Sequence, residues 1–276
     1  MLHVPFLLRC LALVLVILVL ARPQTTNKWQ NSEIEGIDIM LAIDVSTSML
    51  AEDLKPNRLE AAKDVAAEFI NGRPNDNIGI TLFAGETFTQ CPLTVDHAVL
   101  LDMIHNIKCG LITDGTAVGM GIANAVTRLK DSKAKSKVII LLTDGTNNKG
   151  DISPMTAAEI AKSFGIRVYT IGVGTNGMAP YPYPVGNTVQ YVSMPVEIDE
   201  KTLTEIAGTT DGNYFRATSN SKLKEVYEEI DKLEKTKLNV KEYSKRDEEY
   251  HWFALAAFLC VLLEVLLRNS VLKKIP

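Results

Sequence analysis

"MLAIDVSTSM", Met40 to Met49, sets an apolar run directly against an acid and two serines spaced one apart. The run Ile37–Ile43, with Asp38 inside it, reads as a strand buried on both faces. Asp44, Ser46 and Ser48 follow where such a strand would leave its sheet. Alternate residues of an extended segment point the same way, so three oxygen-bearing side chains can converge on one point. Convergent hard oxygens suit a hard cation such as Mg²⁺. The competing reading is that Asp44 and the serines only cap the turn or helix that follows.

Outward from this stretch, buried-type strands alternate with amphipathic helices. "NRLEAAKDVAAEFING" is a predicted helix with Asn57 as cap, Leu59, Ala62, Ala66 and Phe69 on one face, and Gly72 at its end. "NIGITLFAG" reads as a strand and "FTQCPLT" as a short edge strand. "DHAVLLDMIHNI" and "AVGMGIANAVTRLK" read as helices, and "KVIILLTDG" as the most apolar strand. "SPMTAAEIAKSFG" carries Ser153 as cap and Pro154 in its first turn. "IRVYTIGVG", "DEKTLTEIAG", "NYFRAT" and "SKLKEVYEEIDKLEK" continue the rhythm as strand, helix, strand and helix. "MAPYPYPVGNTVQYVSMPVEI" breaks it, and its prolines and β-formers suggest an inserted hairpin. The fold class expected is α/β: a doubly wound, mostly parallel sheet with helices on both faces, Rossmann-like.

The chain has 276 residues, 46% hydrophobic and 22% charged, with a net charge of -4. That balance, without a basic patch interleaved with aromatics, argues against nucleic-acid binding. The apolar excess lies at the ends. Val4–Ala21 carries Arg9 as its single charge, and Trp252–Leu267 carries Glu264. Each approaches the roughly 20 residues that span a bilayer. A cleaved signal peptide is the competing reading of the first. Arg9 is expected to snorkel to the interface and Glu264 to face a partner helix. The basic tail, with Arg268, Lys273 and Lys274, is expected on the cytoplasmic side. The expected division is a transmembrane helix at 4–21, a linker at 22–36, the α/β domain at 37–234, a charged juxtamembrane segment at 235–251, a transmembrane helix at 252–267 and a cytoplasmic tail at 268–276. The domain then faces away from the cytoplasm.

In an open parallel sheet, sites form outside the carboxyl ends of the strands where the strand order reverses. Three loops are suited to that rim: "AIDVSTS", "LITDGTAVG" with Thr116, and "LLTDGTNN" with Asp144. Each supplies hydroxyls or carboxylates. "GVGTNG" at Gly172–Gly177 satisfies a dinucleotide-binding spacing, yet prolines follow it where a helix should begin. A haloacid-dehalogenase-like phosphatase would want a second acid two residues after Asp44, where Ser46 stands. Cys91 and Cys109 fit no zinc spacing, and flank the predicted helix Asp96–Ile107. They are open to a disulfide or to two buried thiols.

"DVSTS", the pair Gly115–Thr116 and "TDG" at Thr143–Gly145 resemble the metal-ion-dependent adhesion site of von Willebrand factor A (VWA) domains, over roughly Ile34 to Glu234. The resemblance implies hydroxyl ligands at Ser46, Ser48 and Thr116, with Asp44 and Asp144 binding Mg²⁺ or Mn²⁺ directly or through water. It also implies a binding module, not an enzyme, whose protein partner supplies a carboxylate to the metal. A metal-dependent phosphohydrolase, or a VWA domain whose ion is purely structural, is the alternative. "FTQCPLT", "DGTAVGMGIANAV", "SKVIILLTDGTNN" and "YTIGVGT" further resemble the BatA-type proteins of the Bacteroides aerotolerance operon. That group implies an inner-membrane protein with its domain in the periplasm. It implies other Bat-type membrane proteins and a MoxR-type AAA+ ATPase as partners, in an envelope complex linked to aerotolerance or stress. Its members carry a further apolar segment upstream of the one that starts here.

Overall fold

The computed structural model describes residues 3–21, 24–25, 36–185, 188–239, 247–248 and 250–270. The chain forms two compact units, one from Met1–Glu33 with Glu242–Pro276 and one from Ile34–Lys241. The elements in chain order are α1 (His3–Leu20), β1 (Asp38–Asp44), a 3₁₀ turn (Thr47–Leu50), α2 (Arg58–Asn71), β2 (Asn77–Phe83), β3 (Thr87–Thr94), α3 (His97–His105), α4 (Val118–Leu129), β4 (Lys137–Thr143), α5 (Pro154–Ser163), β5 (Ile166–Val173), β6 (Met178–Val185), β7 (Thr188–Pro195), α6 (Glu200–Thr209), β8 (Tyr214–Ala217), α7 (Asn220–Asn239) and α8 (Tyr250–Ser270). The linker expected at 22–36 and the tail at 268–276 lie largely outside the described residues, and the charged segment at 235–251 lies partly outside them.

The large unit holds a six-stranded sheet in the order β3-β2-β1-β4-β5-β8. All neighbours are parallel except β3, an antiparallel edge strand, as the weaker apolar pattern of "FTQCPLT" anticipates. β1 shows why the sheet is covered on both sides. Ile39, Leu41 and Ile43 join one apolar cluster with residues of α2, α3 and α7, whereas Met40 and Ala42 join another with α4, α5 and α6. The period of two in side-chain direction thus feeds two cores from one continuous apolar run. Each large side chain fully buried there contributes about 1.5–3 kcal/mol of hydrophobic stabilisation. The chain runs from β1 out to β3 and then returns to the other side of β1, so the order reverses between β1 and β4. That switch point places the carboxyl ends of β1 and β4 side by side.

Helix ends follow the sequence signals. Asn57 and Ser153 accept from Glu60 N and Thr156 N as caps of α2 and α5. Gly72 does follow α2 directly, but with a right-handed backbone, φ -76°. The segment after "GVGTNG" is β6, a strand, so no helix begins directly after that loop. The disulfide considered for Cys91 and Cys109 is not formed. Cys91 points from β3 into the core, while the Cys109 thiol donates to the Ser46 carbonyl at 3.4 Å.

In the small unit, α1 and α8 lie against each other, with Ala12 and Ala257 buried. Small residues let helix backbones approach closely. Glu264, seven residues after Ala257 and therefore on the same face, is buried and accepts from Arg9 Nη2 at 2.5 Å. Arg9 donates to Glu264 while most of its side chain stays exposed: an acid amid apolar residues needs a cation. Gln24–Thr25 pairs with Asp247–Glu248 as a two-residue antiparallel ladder. Taken over the described residues alone, no helix is long and apolar enough to cross a membrane.

At the end of the sheet away from the switch point, α7 is fastened by Glu234. It accepts from Tyr169 Oη (2.5 Å), Ser136 Oγ (2.8 Å) and Arg167 Nε (2.9 Å). Burial opposes its ionisation, but the Arg167 and Tyr169 donors outweigh this and hold the carboxyl below its usual range. Glu234→Ala is expected to cost about 3 kcal/mol in urea unfolding at neutral pH, because Tyr169 loses a buried acceptor while Arg167 still reaches water. A carboxyl held low in the folded state contributes fully above the unfolded value of about 4.3 and less as pH falls through the folded value. The difference between wild type and the Ala variant should therefore shrink at acid pH.

Candidate metal centre

The site is built from the residues that leave β1 and β4. Asp44, the last residue of β1, is fully buried. Its Oδ1 accepts from Ser46 N at 2.9 Å and its Oδ2 from Thr143 Oγ1 at 2.6 Å. The first bond is an Asx turn, so Asp44 does shape the bend, as the capping reading proposed. The serines do not cap. Ser46 precedes the 3₁₀ turn without a side-chain cap bond, and its Oγ lies 3.0 Å from Ser48 Oγ. Ser48 Oγ donates in turn to Asp144 Oδ1 at 2.7 Å. Thr47 between them faces the other way: its N–H and hydroxyl donate to Asp114 at 3.0 and 2.9 Å. The convergence expected of an extended segment is reached by another route, because the chain bends at Asp44 and enters the 3₁₀ turn at Thr47, with Asp114 holding Thr47 away from the two serines.

Thr116 is brought in by its own loop. Ala117 N donates to Ala84 O at 2.6 Å, which ties the loop to the end of β2. Thr116 N donates to Asn148 Oδ1 at 2.9 Å, and Thr116 O accepts from Asn148 N at 3.0 Å. These bonds zip the loop to the segment after Asp144, and the Thr116 hydroxyl lies 3.4 Å from where Gly145 would carry a Cβ. Gly115 stands at φ +129°, in the region that favours glycine, and lets this turn form. All five residues expected from the sequence thus meet at one rim.

Arg58 is the residue that sequence reasoning missed. It opens α2 and is 3% exposed, far below what an unpaired arginine tolerates. Its Nη1 donates to Asp144 Oδ2 at 2.6 Å, and its Nε and Nη2 donate to the two oxygens of Asp53 at 2.7 Å each. Asp53 also accepts from Thr175 N at 2.8 Å, at the root of the β6–β7 hairpin. Gly174, φ +143°, lets the backbone pass the guanidinium: a Cβ there would lie 2.8 Å from Arg58 Nη2. One signal was available. A cation at the first position of a helix opposes the helix dipole, so another partner had to hold it there.

The electrostatics are those of a crowded anionic pocket. Burial first, and Asp144 second, push Asp44 up to about 7. Burial also raises Asp144, with Arg58 pulling against it. Asp53 is held low because Arg58 and Thr175 outweigh its burial. Among the described residues no group of three or more His, Cys, Asp or Glu gathers around one point, so hydroxyls must supply part of any ligand set. Three hydroxyls and two carboxylates with a surplus of buried negative charge fit a hard divalent cation.

The chain matches the von Willebrand factor type A domain over residues 38–229. It therefore belongs to that family. An uncharacterised protein of Borreliella burgdorferi is 28% identical over 267 residues, 96% of this chain and 78% of its own. BatB from Bacteroides thetaiotaomicron is 34% identical, with a TM-score of 0.64 over 72% of this chain and 100% of its own. An aerotolerance-related membrane protein from Bacteroides fragilis, also 34% identical, has a TM-score of 0.62 over 71% of this chain and 100% of its own. Proximal thread matrix protein 1 of the mussel byssus, solved with a zinc-occupied MIDAS motif, is 25% identical, with a TM-score of 0.57 over 72% of this chain and 46% of its own.

Arg58→Ala would leave Asp53 and Asp144, with side chains 2% and 0% exposed, buried without their cation. The expected loss is about 3–5 kcal/mol of unfolding free energy. Arg58→Lys should restore only part of it, because one ammonium cannot fork between two carboxylates. Equal stability of Arg58→Ala and wild type in urea would show that the pair carries no such charge.

Proposed function

We propose that this VWA-family chain is a membrane-anchored adhesion module that grips an acidic side chain of a protein partner through a divalent cation. Ser46, Ser48 and Thr116 would hold the ion through their hydroxyls, with Asp44 and Asp144 binding it directly or through water. Mg²⁺ is the ion of choice for so small an all-oxygen set, with Mn²⁺ next. The observation that carries the reading is the hydroxyl chain Ser46–Ser48–Asp144 at the switch point, set against buried like charges that a cation would relieve. When bound, the ion offers an electrophilic position at which a carboxylate can replace water. The zinc-occupied site of the byssus protein supports a metal at this rim, though of another element.

The surroundings suit binding better than catalysis. Cys109, the thiol beside the site, is pushed up to about 12 by burial and then by the charge of Asp44, so little thiolate forms. Its hydrogen goes to the Ser46 carbonyl. We assign membrane anchoring to the full segments 4–21 and 252–267. Leu13, Ile17, Leu20, Leu255, Phe258 and Leu266 stand exposed on α1 and α8, more apolar surface than a helix pair keeps in water. The membrane protein of Bacteroides fragilis supports that anchoring. With the basic tail inside, the domain faces the periplasm. Other Bat-type membrane proteins, and a MoxR-type AAA+ ATPase acting with them, are the partners the resemblance suggests for an envelope complex linked to aerotolerance or stress.

Calorimetric titration of Mg²⁺ or Mn²⁺ tests the centre. Asp44→Asn and Asp144→Asn should weaken binding by about a hundredfold or more, each removing charge from a small divalent site. Ser46→Ala and Thr116→Ala should weaken it about tenfold, since water can stand in for a hydroxyl. Equal affinity in wild type and Asp44→Asn would sink the metal reading.

Protease added to spheroplasts tests the orientation. The VWA domain should be digested while the inner membrane is intact. Digestion only after that membrane is broken would reverse the assigned topology.

A further inference from the structure

The β6–β7 hairpin forms a two-stranded sheet of its own. Its eighteen residues, "MAPYPYPVGNTVQYVSMP", include no Asp, Glu, Lys, Arg or His. All eight residues of β7 are exposed, among them Val189, Tyr191, Val192 and Met194. An exposed element without a charge lacks the usual protection against edge-to-edge pairing. The register shows that protection exists on one edge only. Pro180, Pro182 and Pro184 pair with Ser193, Tyr191 and Val189. A proline cannot donate, so the bonded pairs of this ladder are the alternate ones, Ala179–Met194, Tyr181–Val192 and Tyr183–Gln190. The proline positions therefore turn their backbones outward, and Pro180 O does accept from Glu52 N at 2.9 Å on that side. Three prolines in alternate positions close the outer edge of β6.

The same register turns the N–H and C=O groups of Val189, Tyr191 and Ser193 outward from β7. No strand continues the sheet there among the described residues. We infer that the open edge of β7 takes up an extended, uncharged segment of a protein partner as a third strand, by main-chain pairing. Only an extended backbone matches donors and acceptors repeated every second residue, about 6.8 Å apart. Exposed apolar side chains on both faces of β7 suit uncharged side chains on the incoming strand. A second copy of this chain fits less well. Two-fold pairing about Tyr191 would bring together two Glu52 carboxylates, because each Tyr191 hydroxyl donates to its own Glu52 at 3.0 Å. An anionic bilayer is disfavoured by Glu52 and Asp53 at the hairpin's root. The inference does not depend on a metal at the rim.

A nonapeptide selected from a random display library against the detergent-solubilised full chain serves as the probe. It should protect the amides of Val189, Tyr191 and Ser193 from hydrogen exchange, and bind equally with and without chelator. Ser193→Pro, which removes one outward N–H just as Pro180 does opposite, should weaken it about tenfold, and Ser193→Ala should not. N-methylation of alternate peptide amides should abolish binding in one phase and spare it in the other, a readout that holds even if Ser193→Pro disturbs the hairpin. Four results would overturn the inference. One is recovery of no binder, and another is a binder indifferent to N-methylation. The third is binding lost with chelator. The last is protection of the same amides without peptide, whether it rises with protein concentration, which marks a second copy, or on adding phosphatidylglycerol vesicles, which marks a membrane.

Discussion

Asp44 and Asp144 lie buried at the carboxyl ends of the two central strands, and the rim of the domain is arranged around keeping them there. Like charges in a dry site repel strongly and each loses its hydration. The donors around them are the response: Ser46 N and Thr143 Oγ1 on Asp44, Ser48 Oγ and Arg58 on Asp144. The response is incomplete. Arg58 also serves both oxygens of Asp53, so two buried carboxylates share one guanidinium, and Asp44 has only neutral donors. Burial, and after it the charge of Asp144, raises Asp44, and a cation at the rim would relieve both. Arg58 holds one oxygen of Asp144 and leaves the other to the hydroxyl chain.

Most of the fold was legible in the sequence because its strands are buried on both faces. "IDIMLAI" and "KVIILLT" are too continuous in apolar residues to be half-exposed, and the helices between them show clear stripes and caps. The hairpin was legible too, through prolines that break the helix rhythm. The strand order was not. Rhythm alone does not say that β1 sits in the middle with β4 beside it, and that adjacency is what makes Asp44 and Asp144 neighbours across about a hundred residues of chain. The Arg9–Glu264 pair was half legible: the cost of a buried acid demanded a partner, but only the antiparallel packing of α1 and α8 named it.

At the site, spacing succeeded where chemistry is local and failed where it is not. Asp44, Ser46 and Ser48 lie within five residues, so their closeness was legible, although an Asx bend and a 3₁₀ turn bring them together and not the extended alternation expected. Arg58 meets Asp144 across 86 positions, and in the sequence it looks like any first-turn residue of an amphipathic helix. The two cysteines illustrate the opposite error. Their positions at either end of α3 suggested proximity, yet proximity of helix ends says nothing of direction. Cys91 obeys the inward phase of its strand, and Cys109 is drawn to a carbonyl in the loop after β1.

Glu52 and Asp53 join the two proposed binding surfaces. Asp53 holds Arg58 on one side and Thr175 on the other. Glu52, its neighbour, gives its N–H to Pro180 and accepts from Tyr191. The loop after the 3₁₀ turn therefore holds the hairpin through Glu52 and Asp53, and of these Asp53 also anchors the guanidinium behind Asp144. A side chain bound at the rim and a strand laid along β7 would meet one rigid surface, not two independent ones. The hairpin could have been placed on any loop of the sheet. Its attachment to the residues that balance the buried charge fixes its distance from the ion-receptive rim, so a single partner with an acid and an extended segment at that spacing would be read by both.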